Sequence, residues 1–435
     1  MADTVIDACV GLADNEAPAF CGMGPADGER KRALVAVTLR KIWRIRPVLA
    51  GIGVALSLAA PARGAEAIEV VGADGGPSLE VHGFASQGAI LSTGNNYLAK
   101  SKRGSLEFAE VGINFTSQLT DRLRFGLQLF TRDLGPVGNY AARADWFYLD
   151  YRWRDWLGIR AGRVKLPFGL YNETSDIDAA RVPILLPQSV YPIANRDYLL
   201  AETGLELYGY VDLQRAGALD YRLYGGTIFV DVSTAPSIKS VDVPYVAGGR
   251  LLWDTPVRGL RVGGSFQALR LVFGLADPTL AVASPVPVGF TVLLGVASAE
   301  YVHGDLLLAA EYAEWRATLD QDVLALDPTA KRVTVSERGY VMGAYRVGSW
   351  FWPGVYSSVL FPDEANATFT GPSQDMQYDF AGTLRFDVNA FWLIKLEAHY
   401  VHGTAGLDPA LNDDKPLSGL TRDWAVFLAK TTAYF

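Results

Sequence analysis

The stretch RLRFGLQLFTR, residues 122–132, alternates between polar and apolar residues over most of its length. One face of the extended chain carries Leu123, Phe125, Leu127 and Leu129, and the other carries Arg122, Arg124, Gly126 and Gln128. A period of two residues is typical of a β-strand whose faces meet two different environments. The stretch therefore predicts a strand that separates an apolar medium from a polar one.

Segments of this kind recur from Leu79 to the end of the chain, without an amphipathic helix of comparable length among them. We predict sixteen strands, at 79–91, 104–117, 122–131, 144–153, 156–163, 202–213, 219–230, 246–254, 259–270, 290–302, 305–316, 336–347, 352–360, 376–387, 390–402 and 423–435. A barrel of sixteen strands is too wide for side chains to fill, so we expect a water-filled channel inside it.

The connections between these strands alternate in length. Every second one is a tight turn, and the others are long, at 92–103, 132–143, 164–201, 231–245, 271–289, 317–335, 361–375 and 403–422. Short turns on one rim and long loops on the other are typical of bacterial outer-membrane proteins. We therefore predict an all-β fold, a 16-stranded antiparallel transmembrane β-barrel with short periplasmic turns and long extracellular loops.

Aromatic residues at the tight turns favour the same interpretation, because a Trp ring is stable at the half-wet membrane interface. The tryptophans at these turns are Trp153, Trp156, Trp253, Trp350 and Trp352. We expect them to form part of an aromatic girdle at one rim.

The composition excludes several classes of protein. The 435 residues carry a net charge of −8 and no long basic run in the body of the chain, which argues against a nucleic-acid partner. A mean hydropathy of +0.13 is too low for a helical membrane protein of this size. Both cysteines, Cys9 and Cys21, lie near the N-terminus, and the four histidines are scattered. We therefore expect no disulfide framework, metal site or cofactor.

The N-terminal region contains one apolar run of helical length, PVLAGIGVALSLAAPARGAEA, at 47–67. Basic residues precede the run, and small residues with A-x-A spacing end it, as in a Sec signal peptide. Its apolar core is shorter than the roughly 20 residues of a spanning helix, which disfavours a membrane anchor. We predict that residues 1–64 are an upstream extension and signal peptide, that 65–78 is a short segment, and that 79–435 is the barrel.

The segment IRAGRVKLPFGLYNETSDIDAARVPILLPQSVYP, residues 159–192, resembles the phosphate-selective porin O/P family, with most of the likeness in GRVKLPFGLYNE at 162–173. The resemblance implies a sixteen-stranded barrel, usually trimeric, that passes small hydrophilic and often anionic solutes. Members that select phosphate line the pore with basic residues. Lysine is sparse in this chain, so a general porin is the safer interpretation.

The alternation of inward and outward positions along each strand predicts which charges face the lumen. The predicted lining residues are Arg124, Arg152, Arg160, Arg222, Glu300, Glu311, Arg385 and Lys395, with Glu110, Asp150, Glu206, Asp379 and Glu397 on the same faces. The two signs are mixed, which leaves the direction of charge selectivity open.

The loop 164–201 is far longer than an ordinary connection and is rich in apolar residues. We expect it to pack on the inner wall and narrow the lumen; an extracellular lid or a trimer contact are the alternatives. Its charges would then set selectivity. They are Lys165, Glu173, Asp176, Asp178, Arg181, Arg196 and Asp197.

The leading functional prediction is an outer-membrane porin for passive diffusion of small hydrophilic solutes or ions. A phosphate or polyphosphate channel is the first alternative, and a non-conducting barrel (an anchor, an adhesin or an outer-membrane hydrolase) is the second. Common catalytic motifs are absent from the sequence, so we do not expect an enzyme. Expected partners are outer-membrane lipid and lipopolysaccharide, two further copies in a homotrimer, and the barrel assembly machinery.

The chain ends DWAVFLAKTTAYF at 423–435. This segment is predicted as the last strand, which closes onto the first. By resemblance, a C-terminal Phe in the last strand is a signal to the assembly machinery, and Phe435 matches it. We expect Phe435 to face lipid or a neighbouring subunit.

Overall fold

Sixteen strands pair in chain order and close into a barrel. The computed structural model describes residues 68–70, 78–230, 238–275, 286–321 and 330–435. The strands are β1 (Ile68–Val70), β2 (Leu79–Ser92), β3 (Phe108–Thr120), β4 (Leu123–Leu134), β5 (Arg143–Arg154), β6 (Leu157–Lys165), β7 (Ala201–Asp212), β8 (Ala218–Thr227), β9 (Ile238–Asp254), β10 (Leu260–Leu275), β11 (Val286–His303), β12 (Leu306–Leu319), β13 (Val333–Tyr345), β14 (Phe351–Phe361), β15 (Gln377–Asn389), β16 (Trp392–Gly403) and β17 (Asp423–Tyr434). The sixteen predicted strands correspond to β2–β17, and the predicted fold class is confirmed.

Every neighbouring pair from β2 to β17 is antiparallel, and β17 pairs with β2, so that Phe427 lies opposite Leu91. The short strand β1 adds a three-residue pairing to β2, with Ile68 opposite Val81. Closure of the sheet satisfies the backbone of every edge from within, which is the condition for a sheet to cross lipid.

In the part of the chain that the structure describes, helical structure is confined to single turns in the connections. One α-helix, α1, spans Arg196–Leu199, and 3-10 turns span Ser101–Arg103, Asn172–Thr174, Asp178–Ala180, Ile193–Asn195, Gln214–Ala216, Glu364–Asn366, Ser373–Asp375, Pro409–Asn412 and Leu417–Gly419. Within the described residues, no helix has the length and apolar character to cross a membrane.

The main deviation from the predicted strand ends lies at β9–β11. Strand β9 begins at Ile238, eight residues before the predicted start, and β10 extends to Leu275. The pairing register shifts between Arg270 and Val272, opposite Val243 and Pro244. This bulge accommodates Pro244, which has no N–H for the ladder. Residues 231–237, 276–285 and 322–329 of the predicted long loops, and the predicted signal segment 1–64, lie outside the described residues.

The outer face of the barrel is apolar. Large exposed side chains on it include Val111, Leu129, Leu149, Ile159, Leu205, Leu207, Leu223, Leu251, Phe266, Leu308, Val341, Val355, Phe380 and Leu396. The same strands turn polar and charged residues to the other face. A closed barrel with an apolar exterior and a polar interior is the architecture of bacterial outer-membrane proteins, and the chain is assigned to that membrane.

The aromatic rim is largely as predicted. Trp153 and Trp156 meet edge to face at one tight turn, with ring centroids 5.5 Å apart, and both are about half exposed. Trp253 and Trp350 are also exposed. Trp352 differs, because its ring lies 5.0 Å from the Arg346 guanidinium and also contacts the Arg385 guanidinium. It therefore belongs to the polar side of the rim rather than to the girdle.

The C-terminal residue completes the closing pair of strands. The N–H of Phe435 donates to the carbonyl of Gly83 at 3.0 Å, and the N–H of Gly83 donates back at 3.1 Å. The Phe435 ring is 44% exposed and lies over Gly83, where a Cβ atom would be only 2.7 Å from the ring. Lys430 and Thr432 lie on the opposite face and are buried. Phe435 thus faces outward, which agrees with the prediction of a lipid-side or subunit-side position.

Candidate functional site

The connection between β6 and β7, residues 166–200, lies within the barrel. For description it is divided into a stem (166–176), a tip (177–185) and a return arm (186–200). Prolines at 167, 183, 187 and 192 prevent regular strand pairing, and single helical turns replace it. Buried apolar side chains keep the loop ordered, and they are Leu166, Phe168, Val182, Ile184, Leu185, Leu186, Val190, Tyr191, Leu199 and Leu200.

Apolar packing attaches the loop to two different parts of the wall. The stem and return arm pack on strands β8–β15 through one cluster, which includes Phe168, Tyr191 and Tyr340. The tip packs through Ile184 and Leu185 on a second cluster formed by β2, β3, β16 and β17 with the loop between β2 and β3. The loop therefore crosses the barrel from its origin at β6 to the wall where the barrel closes.

Hydrogen bonds and ion pairs add contacts around most of the circumference. Wall residues on β4–β6, β8–β13 and β15–β17 bond to the loop. All these contacts are made by the faces opposite the apolar exterior. A segment that reaches so many strands on that face occupies the lumen.

The stem turns onto the wall at Gly169. This residue has φ +59°, and a Cβ atom there would lie 2.4 Å from the Tyr191 hydroxyl oxygen, so only glycine fits without displacement. Its N–H donates to Ser265 Oγ at 2.9 Å, and the next N–H, of Leu170, donates to Glu311 Oε1 at 2.9 Å. The hydroxyl of Tyr171 donates to Glu300 Oε1 at 2.8 Å.

Charges in the stem pair with charges on the wall. Glu173 lies 2.8 Å from Arg250 and 3.3 Å from Arg222. Burial favours a raised pKa for Glu173, but Arg222 and Arg250 outweigh it and hold the pKa below its usual range. Asp176 accepts from Lys165 at 2.6 Å and from Gln128 at 2.8 Å.

Asp176 remains ionised for the same reason as Glu173. Burial opposes its negative charge, but Lys165 and Arg196 more than compensate and lower its pKa to about 2. The two stem carboxylates are thus charged at neutral pH and are balanced by cations outside the stem.

The tip is held by lysines that have no solvent exposure. Asp178 lies 2.7 Å from Lys430 Nζ and 2.9 Å from Arg181, and it accepts from Thr432 at 2.8 Å. Lys430 also reaches Glu110 at 2.5 Å. Burial of Asp178 disfavours its charge, but Lys430 and then Arg181 and Lys395 outweigh burial and lower the pKa of Asp178 well below its usual range.

Wall side chains also bind the backbone of the tip. The Lys395 ammonium donates to the carbonyl oxygens of Asp178 and Arg181, both at 2.8 Å, and to that of Pro183 at 3.2 Å. Arg385 donates to the carbonyl of Ala179 at 2.7 Å and to that of Arg181 at 3.1 Å. These contacts recognise the path of the main chain rather than particular side chains.

The return arm is fixed by one bidentate pair and several hydroxyl groups. Arg196 donates to both carboxylate oxygens of Asp145, at 2.9 and 2.7 Å, and its guanidinium lies 4.4 Å from the centre of the Phe130 ring. Tyr191 donates to Glu311, and Ser189 donates to the Gly339 carbonyl at 3.1 Å.

A chain of alternating charges follows the wall beside the stem. Asp150 accepts from Arg124 and Arg160, both at 3.1 Å, and Glu206 accepts from Arg160 at 2.8 Å and from Arg222 at 3.0 Å. Arg124 retains 39% side-chain exposure. The alternation pairs these charges with one another and leaves Arg124, at one end of the series, in contact with solvent.

Most sequence-predicted residues meet at this site. Of the predicted loop charges, Lys165, Glu173, Asp176, Asp178, Arg181 and Arg196 are all in ion pairs, and the side chain of Asp197 lies outside the described residues. Of the lining residues, Arg152 pairs with exposed Asp155 near a tight turn, away from the loop. The others contact the loop or the alternating wall charges.

Several anchors were not singled out from the sequence. Asp145, Gln128 and Arg250 contact the loop directly, and Lys430 pairs with Asp178 at the tip with no side-chain exposure. Lys430 was detectable, because it sits at an inward position of the period-two pattern in the last strand. Within the described residues, no group of three or more His, Cys, Asp or Glu is arranged to hold a metal ion.

Comparisons with known proteins agree on the architecture. No family model matches the chain, and no curated protein matches it by sequence. The anion-selective porin from Comamonas acidovorans is 11% identical with a TM-score of 0.52, over 82% of this chain and 100% of that one.

Two other solved structures are similar to the same degree. OmpF of Salmonella typhi, in complex with daunomycin, is 13% identical with a TM-score of 0.51, over 85% of this chain and 100% of that one. OmpT of Vibrio cholerae, an outer-membrane protein solved in a trimer form, is 10% identical with a TM-score of 0.52, over 83% and 100%. The chain therefore has the sixteen-stranded fold that outer-membrane porins share.

Proposed function

We propose that the protein is a passive outer-membrane porin whose lumen is narrowed by residues 166–200. The observation that carries the proposal is the path of this loop, which contacts the inward faces of β4–β6, β8–β13 and β15–β17. A loop that is packed and bonded on so many sides is a fixed obstacle. Solutes would pass beside it according to size and charge.

A general porin suits the charge distribution better than a phosphate-specific channel. Selective anion binding needs unpaired cations that replace the water around the ion. The lysines at the tip are engaged elsewhere, because Lys395 binds three loop carbonyls and Lys430 binds two carboxylates. The resemblance of residues 162–173 to the phosphate-selective porin O/P family keeps the phosphate channel as the second candidate.

We also propose a homotrimer, which the trimer form of a similar structure supports. Phe435 is proposed as the assembly signal, on the support of its outward position beside Gly83. Replacement of Phe435 by Asp is expected to reduce the amount of folded barrel in outer-membrane fractions while leaving the conductance of the folded remainder unchanged. A normal yield of folded F435D would remove this assignment.

Planar-bilayer recording tests the channel and its constriction together. A variant that lacks residues 176–196 is expected to show a higher single-channel conductance than the full chain. The matched control removes exposed residues 365–370 of the connection between β14 and β15, and its conductance should not change. No current steps from folded protein would favour a non-conducting barrel, and equal conductance of the shortened loop would show that the loop is not the constriction.

The same preparation separates the two kinds of channel. Reversal potentials under a KCl gradient report whether anions or cations pass more readily. Added inorganic phosphate should leave chloride current unchanged in a general porin. Block of the current by phosphate at low concentration would favour the phosphate-specific channel.

A further inference from the structure

The inward face of β16 carries a histidine between two carboxylates. His399 Nδ1 lies 3.0 Å from Asp379 Oδ1, and Nε2 lies 3.0 Å from Glu397 Oε1. The His399 side chain is 1% exposed, and the Tyr356 ring meets it edge on at 5.9 Å. Water therefore has little access to these contacts.

Both ring nitrogens must donate in this arrangement. An ionised carboxylate only accepts hydrogen bonds, and a neutral imidazole has one N–H and one lone pair. A neutral ring would place that lone pair against one of the carboxylates. The geometry therefore requires an imidazolium, whose single positive charge lies between two negative ones.

Glu397 connects this cation to the tip of the loop. Its Oε2 accepts from the N–H of Ile184 at 2.6 Å, and its Oε1 accepts from the N–H of Leu185 at 3.0 Å. Ile184 and Leu185 are 0% and 1% exposed. The carboxylate thus holds two consecutive amides at the point where the loop reaches the far wall.

We propose that His399 is a positioning residue that, as a cation, keeps Glu397 in place to hold the tip across the lumen. Without the imidazolium, the carboxylates of Asp379 and Glu397 would be left close together in a buried site, and repulsion would move Glu397 away from the two amides. The inference rests on the proposed function of residues 166–200 as the constriction. In this proposal His399, a residue of the wall, influences the pore size although it does not line the passage.

His402, on the same strand, provides a natural contrast. Its Nδ1 lies 2.7 Å from Asp423, but its Nε2 lies 3.0 Å from Arg422 Nε, so this ring has a carboxylate on one side only. The His402 side chain is 28% exposed, and these two partners, Asp423 and Arg422, lie outside residues 166–200. H402Q is therefore the matched control for H399Q, in the same strand and with the same chemical change.

Single-channel recording of folded variants tests the proposal. H399Q keeps hydrogen-bond donors but removes the charge, and its conductance is expected to rise toward that of the variant lacking 176–196, with more frequent current fluctuations. H402Q should conduct like the unaltered chain. Addition of D379N to H399Q removes one of the two unbalanced carboxylates and should return the conductance toward the original value, which a mere packing role for His399 would not do.

The outcomes separate this proposal from the proposed function. H399Q that conducts like the unaltered chain, while the shortened loop conducts more, would overturn the role of His399 and leave the constriction intact. Failure of D379N to reverse an effect of H399Q would also overturn the charge mechanism. Equal conductance of the shortened loop and the full chain would instead overturn the constriction itself.

Discussion

The stem and the tip of the loop are held to the wall by different means. In the stem, loop side chains meet wall side chains, as in the pairs between Glu173 and both Arg222 and Arg250. In the tip, the wall side chains Lys395 and Glu397 bind loop backbone, and Lys430 binds the Asp178 carboxylate out of contact with solvent. Glu173 keeps 24% side-chain exposure, whereas Asp178 at the tip has 1%.

This difference shows which changes each end can tolerate. The contacts of Glu173 depend on charge at both partners and remain partly exposed to water, which screens them. Tip contacts depend on the wall residues, on Asp178 and on the course of the main chain, in surroundings that water does not reach. Substitutions in the wall should therefore damage the tip most, and substitutions of stem charges should mainly alter selectivity.

The largest effect is expected at the tip, from K430M. The substitution keeps the side-chain volume but leaves Asp178 and Glu110 without their shared cation. Loss of one partner from a buried pair costs about 3–5 kcal/mol. K430M should therefore lower the urea concentration at which the folded barrel unfolds in detergent, and it should raise single-channel conductance through release of the tip.

The control for this variant is K415M, which removes an exposed lysine from the connection between β16 and β17. It should change neither the unfolding midpoint nor the conductance. A K430M protein with the original stability would contradict the assignment of Lys430 as the principal anchor of the tip.

A smaller effect is expected at the stem, from E173Q. Arg222 keeps Glu206 and Arg250 keeps Asp220 as partners, so the loss in stability should be about 1 kcal/mol. The released positive charge should shift the reversal potential toward anion preference. An unchanged reversal potential would show that passing ions do not sense this part of the loop.

The pKa of Glu173 fixes the pH range of that effect. Because the pKa is held below its usual range, the carboxylate and its stabilising contribution are present at neutral and mildly acid pH. The contribution is lost only when the pH falls through the lowered pKa of the folded state. The difference between the original chain and E173Q should therefore be constant around neutrality and disappear in strong acid.

The smallest effect is expected from Y171F, which removes the hydrogen bond from the stem to Glu300. Glu300 is only partly buried, so water can take the place of the hydroxyl. The expected cost is at most about 1 kcal/mol, with unchanged conductance. A larger loss, measured by urea unfolding, would mean that the stem is held as tightly as the tip and would remove the distinction between them.

Much of the wall was predictable from the sequence. The period of two residues placed Arg124, Arg160, Arg222 and Lys395 on the inward faces, because each strand meets lipid on one side and polar groups on the other. The alternation of short and long connections gave the strand order without any knowledge of contacts. The extension of β9 beyond Pro244 was missed, because proline normally ends a paired segment and the bulge that accommodates it depends on the opposite strand.

The loop contacts could not be predicted in the same way. The sequence indicated that residues 164–201 were ordered, since they are rich in apolar side chains. It did not indicate which strands they would meet, because an irregular chain has no period that relates position to direction. The pairing of Asp178 with Lys430 and of Arg196 with Asp145 depends on a closed barrel, and no local pattern encodes it.

The pairing of the tip with the last strands has a consequence for the order of folding. Thr432 bonds to Asp178 across 254 positions of sequence, Lys430 on the same strand also pairs with Asp178, and further partners of the tip lie on β15 and β16. Such distant contacts form late, because a long segment of chain must first be ordered. The tip gains its full set of anchors only when β15, β16 and β17 are in place, so completion of the barrel and complete attachment of the loop coincide. In the proposed porin, an unfinished barrel would therefore lack the fixed constriction, and the loop would act as a filter only after the last strands have joined.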